Sequence, residues 1–173
     1  YYHLMNDKIK LNIAVLTISD SRTKETDKSG NLLCKLIEES NHNVSQHSIV
    51  KDNIYSIRNV VSGWIDLADV NVIITTGGTG VTGRDGTPEA IEVLLDKKID
   101  GFGEIFRSIS WEKIKTSTIQ SRAIAGVANS TYIFCLPGSP SACKDAWLDI
   151  IRYQLDSNNK PCNLVELMPR LKG

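Results

Sequence analysis

Five glycines, Gly77, Gly78, Gly80, Gly83 and Gly86, crowd into the stretch 70–88, VNVIITTGGTGVTGRDGTP, with Asp85 among them. Glycine at this density lets backbone N–H groups turn inward and approach an anion closely. Thr87-Pro88 reads as the N-cap and first residue of the next helix, EAIEVLL. Glycine loop followed by helix N-terminus makes a phosphate site. A carboxylate such as Asp85 beside bound phosphate is repulsive unless a cation lies between them. The simplest such cation is Mg²⁺, held by one or two carboxylates plus substrate phosphate. Two familiar motifs compete for this loop. Gly78 and Gly83 have Walker A spacing, but Arg84-Asp85 stand where Lys and Ser/Thr belong. Gly78-x-Gly80-x-x-Gly83 matches the dinucleotide fingerprint by letter, yet the helix starts only at Thr87, and the following KKIDGFGE is no apolar strand ending in an acid. A loop that merely turns the chain is the plain alternative, although loops this long are usually functional.

Other polar groups collect where strands end. Lys10–Ser19 reads as a strand, and it runs into Ser19-Asp20-Ser21-Arg22. In open α/β sheets the carboxyl edge is where ligands bind. In the following TKETDKSG, Asp27 or Ser29 caps a helix from Gly30 to Glu39; Ser29 and Gly30 serve equally well as ordinary capping or as ligand contacts. Asp52 ends a second strand, Val44–Val50, on the same edge, or else caps the helix Ile54–Ala68. His47, within that strand, reads as a surface residue. Ser139-Pro140 opens a helix to about Leu155, a second start whose dipole favours an anion.

The elements that must position these groups follow from apolar pattern. Val70, Val72, Ile73 and Ile74 run without alternation up to Thr75-Thr76, as in a strand of a parallel sheet buried on both faces. Leu32, Leu33, Leu36 and Ile37 form one helical stripe, and Ile57, Val60, Val61, Trp64 and Ile65 another. The mixed pattern of Val44–Val50 suits a strand near an edge. Ile99–Glu104 connects to a helix reaching Ser110 or beyond, and Ala123–Ala128 with Thr131–Leu136 reads as a hairpin-like pair. The tail, NNKPCNLVELMPRLKG, has little pattern and is expected on the surface or on a neighbouring subunit.

At 173 residues the chain suffices for one domain. Met5 reads as the natural start, so the domain is taken as 5–173 and Tyr1 to Leu4 are set aside. Basic and acidic residues balance at 20 each, with no Lys/Arg run for nucleic acid, no long apolar segment for a membrane and no signal-peptide pattern. Cys34, Cys135, Cys143 and Cys162 include no C-x-x-C pair and are expected as buried free thiols in a reducing cytoplasm. Their spacing, and that of His3, His42 and His47, disfavours zinc.

TISDS, DKSG, the IVKD strand end, TTGGTG followed by Asp85 and TPEA, GFGE, SRAIAG and LPGSP occur in that order. Over nearly the whole chain this set resembles the MoaB/MogA family of molybdenum cofactor biosynthesis proteins, whose domain is also the G domain of gephyrin. The tail KPCNL looks more like the MoaB branch. The resemblance implies a three-layer α/β/α sandwich with a mostly parallel sheet and one antiparallel edge strand, assembled as a homotrimer or hexamer. It implies adenylyl transfer from Mg-ATP to molybdopterin, giving adenylyl-molybdopterin and pyrophosphate. The family's two functional aspartates fall on Asp52 and Asp85, which would hold Mg²⁺. Its pterin and phosphate pocket falls on Gly77, Gly78, Thr79, Gly80, Ser29, Gly30, Glu104, Ser121, Pro137, Gly138 and Ser139. Ser19, Asp20 and Thr76, at strand ends, are taken with them. Other molybdenum cofactor biosynthesis proteins are possible partners. Two alternatives stand beside catalysis: a paralogue that carries or scaffolds molybdopterin without turnover, and an unrelated nucleotide-binding α/β enzyme.

Overall fold

Alternation along the central strands sorts their side chains between two cores. Residues 7–172 are described by a computed structural model; Met5 and the four residues before it lie outside them. In β1 (Asn12–Ile18), Ile13 and Val15 face one way, with Val72 and Ile74 of β3 (Val72–Thr76) and Phe134 and Leu136 of β6 (Thr131–Leu136). Ala14, Leu16, Ile73, Ile133 and Cys135 face the other. The first core is closed by α1 (Lys28–Glu39), α4 (Asp100–Ile114) and α5 (Pro140–Ala146), the second by α2 (Ile54–Asp66) and α3 (Thr87–Glu92). Both faces are covered, so these strands read as continuous apolar runs. Each wholly buried Ile, Leu or Val contributes about 1.5–3 kcal/mol.

The sheet has the order β2-β1-β3-β6-β5-β4, with β2 (Asn43–Val50) at one margin. β2, β1, β3 and β6 are parallel; β5 (Ile124–Ala128) runs antiparallel to β6 and to β4, a two-residue strand at Lys97–Lys98. This is the expected three-layer α/β/α architecture. Because α1, which follows β1, and α3, which follows β3, cover opposite faces, the connections beside β1 and β3 diverge at the carboxyl edge. Such a divergence opens a crevice.

Several local expectations change. The helix opened by Pro140 passes through a π-helical turn, Trp147–Ile151, before α6 (Arg152–Gln154). Trp147 is wholly buried there, and its indole N–H donates to Ser40 Oγ over 3.2 Å. The tail is not patternless: Asn163 caps α7 (Leu164–Leu167), Val165 enters the first core, and Tyr132 Oη donates to Leu164 O over 2.7 Å. Cys135 and Cys143 are buried and Cys34 is half-buried, but Cys162 is exposed, against expectation. No helix among the described residues is long and apolar enough to cross a membrane.

His42 ties the sheet's entry to α1's exit: its Nδ1 accepts the Leu11 N–H over 3.1 Å in a buried setting. Burial holds its pKa below the ordinary value, with the charge of Asp156 opposing. The neutral ring is the form that accepts this bond. A depressed folded pKa gives stability that is present above the unfolded value of about 6.5 and is lost as pH falls through the folded value. We expect Tm to drop between pH 7 and pH 5 by about 2–4 °C through this residue. That pH-dependent part should be absent in His42→Asn, which keeps an acceptor that does not titrate. Parallel thermal melts of both proteins across this range check it.

Candidate functional site

The loop after β3 is shaped by two left-handed residues, Gly77 at φ 107° and Gly78 at φ 69°. A Cβ on Gly77 would stand 2.2 Å from Ile18 O, and one on Gly78 2.2 Å from Thr87 Oγ1. Only glycine passes both places. The loop is tied on every side. Gly77 N–H donates to Leu136 O at 3.0 Å, Thr87 N–H to Gly78 O at 3.0 Å, and Thr87 Oγ1 to Gly77 O at 2.8 Å. Thr87 is therefore not the N-cap of α3; Gly86 holds that position, and Pro88 sits in the first turn as expected. Arg122 closes the far side. Its Nε donates to Gly80 O at 2.7 Å, its Nη2 to Asp85 O at 3.0 Å, and its Nη1 pairs with Glu89.

Between this loop, the end of β1 and the start of α5 lies a cleft of about 750 Å³. Ser19, Ser29, Thr76, Gly77, Gly78, Thr79, Gly80, Ser121, Pro137, Gly138 and Ser139 all line it. Its walls are cross-tied: Ser29 Oγ donates to Gly138 O at 2.7 Å, and Thr76 Oγ1 to Pro137 O at 2.9 Å. Asp27, 1% exposed, caps α1 through Gly30 N–H at 2.9 Å. It also accepts Thr17 Oγ1 at 2.6 Å and lies 3.2 Å from His47 Nε2. Gly30 packs so tightly behind Asp27 that a Cβ would stand 2.2 Å from its Oδ2. His47 is thus a partner of the cleft floor rather than a plain surface residue. Ser139 Oγ accepts the Ala142 N–H at 3.2 Å and caps α5. Ser121 Oγ is buried without a hydrogen-bond partner. An unsatisfied buried hydroxyl is costly, and a ligand's polar atom would relieve it.

The carboxylates stand beside the cleft. Asp85 lines it, and with Asp52 it also lines an adjoining depression of about 270 Å³. Asp52 is not a helix cap. Asn53 performs that task, accepting Tyr55 N–H and Ser56 N–H at 3.0 Å each, which leaves the Asp52 side chain free for the depression. Asp52 Oδ1 accepts Gly86 N–H at 3.3 Å. Burial pushes the Asp52 carboxyl up from its ordinary value; the Gly86 N–H opposes this, and the charges of Asp85 and Asp20 add to it. Asp85 is held low instead, chiefly by Thr82 Oγ1, which donates to its Oδ2 at 2.6 Å. Asp20 does not line the cleft. It stands at the mouth in a fork with Arg84, Nε and Nη2 reaching Oδ2 at 3.0 and 2.7 Å, and its Oδ1 accepts Asp52 N–H at 3.1 Å.

Of the expected site residues, Asp20 and Asp52 stand beside the cleft and Gly30 packs behind Asp27, whereas Glu104 lines neither the cleft nor the depression. It lies on α4 over a separate crevice with Lys98 and Arg107, toward β4 and β5. Conversely, Thr17, Asp27 and Arg122 belong to the site's framework and were not singled out from the sequence for it. The D in DKSG and the R in SRAIAG were the available signals. Among the described residues no three His, Cys, Asp or Glu side chains gather to hold a metal. Asp52 and Asp85 are oxygen donors only, a set that suits a hard cation completed by a ligand's phosphate.

Residues 14–157 match the family model described as a probable molybdopterin binding domain. Molybdenum cofactor biosynthesis protein B of Escherichia coli K12 is 52% identical over 155 residues, covering 90% of this chain and 91% of that protein. A crystal structure of molybdenum cofactor biosynthesis protein B superposes with a TM-score of 0.85 at 41% identity, covering 95% of this chain and 97% of that one. The tungsten cofactor synthesizing protein MoaB of Pyrococcus furiosus gives a TM-score of 0.79 at 30% identity, over 95% and 98% of the two chains.

A carboxyl whose folded pKa is raised gives stability that is fully present below its unfolded value and is lost as pH rises through the folded one. Ionised Asp52 therefore weakens the fold at neutral pH. We expect Asp52→Asn, which keeps the Oδ1 acceptor for Gly86, to raise Tm by about 1–2 °C at pH 7 in EDTA. The gain should vanish toward pH 3, where the wild-type carboxyl is protonated. Calorimetry of both proteins at the two pH values checks the sign.

Proposed function

The chain belongs to the molybdopterin-binding domain family and is a molybdenum cofactor biosynthesis protein of the MoaB type, and from that membership we propose that it adenylylates molybdopterin with Mg-ATP. The observation that carries the reading is the position of Asp52 and Asp85, two carboxylates of opposite pKa displacement, beside the cleft that the glycine loop lines.

In the reaction, an oxygen of the molybdopterin phosphate attacks the α-phosphorus of ATP. A new P–O bond forms, the α–β bridging P–O bond breaks, and pyrophosphate leaves with its electron pair. The nucleophile is already ionised at pH 7, so no side chain need remove a proton. The protein's task is to bring two anions together in line. Gly77 N–H is already committed to Leu136 O, and Gly80 N–H to the Asp85 carboxylate. The Gly78 and Thr79 amides and the α5 start at Ser139 are the dipoles we assign to the molybdopterin phosphate. Ser121 Oγ, buried and unpaired, is assigned to a polar atom of the pterin. Asp52 and Asp85 would hold Mg²⁺, which supplies charge neutralisation to the phosphates when bound. Thr82 fixes Asp85 for this by two bonds to its Oδ2, and Arg122 fixes the peptide behind it.

We also assign a homotrimeric or hexameric assembly. Ile105, Trp111, Ile114 and Ile119, along α4 and the turn after it, are large apolar residues left exposed in the single chain. Light scattering at micromolar concentration should give a mass of three or six chains; a monomer alone would contradict this.

The catalytic reading is tested by Asp85→Asn, which removes a charge at constant size. Adenylylation should fall by about 100-fold or more, while molybdopterin binding persists, because it rests on amides and hydroxyls. Label transfer from α-labelled ATP and pterin fluorescence on one preparation measure the two. A wild-type protein that binds molybdopterin and transfers no label is a carrier, and the catalytic reading then fails.

A further inference from the structure

Two carboxylates line the cleft, Asp85 on the side of the depression and Asp27 in the floor. Asp27 is 1% exposed. Its charge is felt beyond its own hydrogen bonds: burial pushes the Cys143 thiol up to about 11, and Asp27 adds to this. A cleft that takes a phosphate must keep such a carboxylate in check. We propose that His47 is a positioning residue for ligand binding, whose ring holds the Asp27 carboxylate back in the floor and so leaves the cleft open to an anion. This rests on the reading of the cleft as the molybdopterin site and not on adenylyl transfer.

The donors around Asp27 differ in origin. Thr17 Oγ1 and Gly30 N–H belong to β1 and α1, the two elements that the Asp27 connection joins. His47 comes from β2, where its place is set by pairing with Val15 in the sheet. Its Nε2 stands 3.2 Å from Asp27 Oδ2. A carboxylate only accepts, so Nε2 carries the hydrogen and donates. Among the described residues His47 is the basic partner of Asp27. It is therefore the contact that ties this carboxylate to the rigid sheet margin, outside its own β1–α1 connection.

The position of Asp27 is passed on to the walls. Gly30 leaves no slack behind it, since a Cβ there would also stand 2.4 Å from Thr17 Oγ1. One residue earlier, Ser29 Oγ donates to Gly138 O at 2.7 Å. Gly138 in turn lies against the glycine loop, where its Cβ would stand 3.4 Å from Gly77 Cα. Without a donor from position 47, Asp27 Oδ2 keeps only the Thr17 hydroxyl. A buried carboxylate short of donors turns toward water. The cleft that it lines offers that water, and its charge then enters the space a ligand's phosphate needs.

The test reads molybdopterin affinity by pterin fluorescence, without ATP. His47→Leu, which removes the donor, should weaken binding about tenfold. His47→Gln keeps an N–H donor on a side chain of similar reach, and should bind within about threefold of wild type. His47→Thr suits a strand and is too short to reach Asp27, so it should lose as much as His47→Leu and guards against a disturbance peculiar to leucine. The side chain is 23% exposed on a marginal strand, so the fold should survive, as melting checks. Asp27→Asn keeps a helix cap and lacks the charge. In that background His47→Leu should change affinity less than about twofold, which a purely structural role of the ring would not produce. Binding by His47→Leu as in wild type, no recovery in His47→Gln, an undiminished loss in the Asp27→Asn background, or a wild type that binds no molybdopterin would each overturn the proposal. If binding follows the expected pattern and ATP still yields no adenylyl-molybdopterin, the catalytic reading fails and the role of His47 stands.

Discussion

The cleft depends on how closely the chain passes the end of β1 as it leaves β3. At Gly77 there is no room for a Cβ, because Ile18 O would stand 2.2 Å from it. The contact does three things at once. It lets the Gly77 N–H reach Leu136 O, tying the end of β3 to that of β6. It aims the peptide into the left-handed region, so that the next amides turn away from the sheet. It also leaves Gly77 O to Thr87 Oγ1, which anchors the start of α3. Any side chain here would have to push β1 and β3 apart, and those strands are paired along five residue positions in the middle of the sheet. A rigid sheet thus sets the position of a loop that could not hold its shape alone.

Electrostatics around this loop follow a second constraint, that like charges brought together need assigned partners. Asp20, Asp52 and Asp85 come from three successive connections and meet at one edge. Asp20 is given Arg84, Asp85 is given Thr82, and Glu89 is given Arg122. Asp52 receives only a long bond from Gly86 N–H. The neighbours' pairing lowers their pKa values, whereas burial and the adjacent charges raise that of Asp52. The least compensated of these charges is therefore that of Asp52, which the Arg84 charge offsets only in part.

Much of this was readable in the sequence where one physical cause acts along a segment. Val72 to Thr76 and Ile13 to Ile18 lack alternation because both faces are covered, and the glycine loop is visible because no other residue tolerates its turns. The hairpin-like pair also follows, since Asn129-Ser130 both adopt positive φ between β5 and β6. What escaped depends on competition between neighbours. Asp52 and Asn53 are both good caps, and so are Gly86 and Thr87; which one caps is decided by what the other touches across the fold. His47 looks like a surface residue in its strand because its partner, Asp27, is 20 residues away. Arg122 sits in an unremarkable connection, and its partners, the carbonyls of Gly80 and Asp85, carry no side-chain signature. Glu104 was placed by resemblance, and the direction in which α4 leaves β4 puts it over a different crevice.

Asp52 separates what the fold requires from what the site requires. Its carboxylate caps no helix, crosses no layer and fills no core. Ionised, it works against the folded state, because burial and two neighbouring carboxylates disfavour its charge. An asparagine would keep the bond to Gly86 without that cost. The interactions within the chain therefore do not account for a carboxylate at this position. Groups whose charge is disfavoured by both burial and neighbours collect where a protein handles charge brought from outside. Asp85 makes the complementary case, since Thr82 and the Gly80 amide stabilise its charged form whether or not anything binds. One carboxylate is thus fixed and ionised, and the other gains most from a cation. That asymmetry follows from the order of the loops on the sheet edge, and it places the strongest demand for positive charge at the boundary between the cleft and the depression beside it.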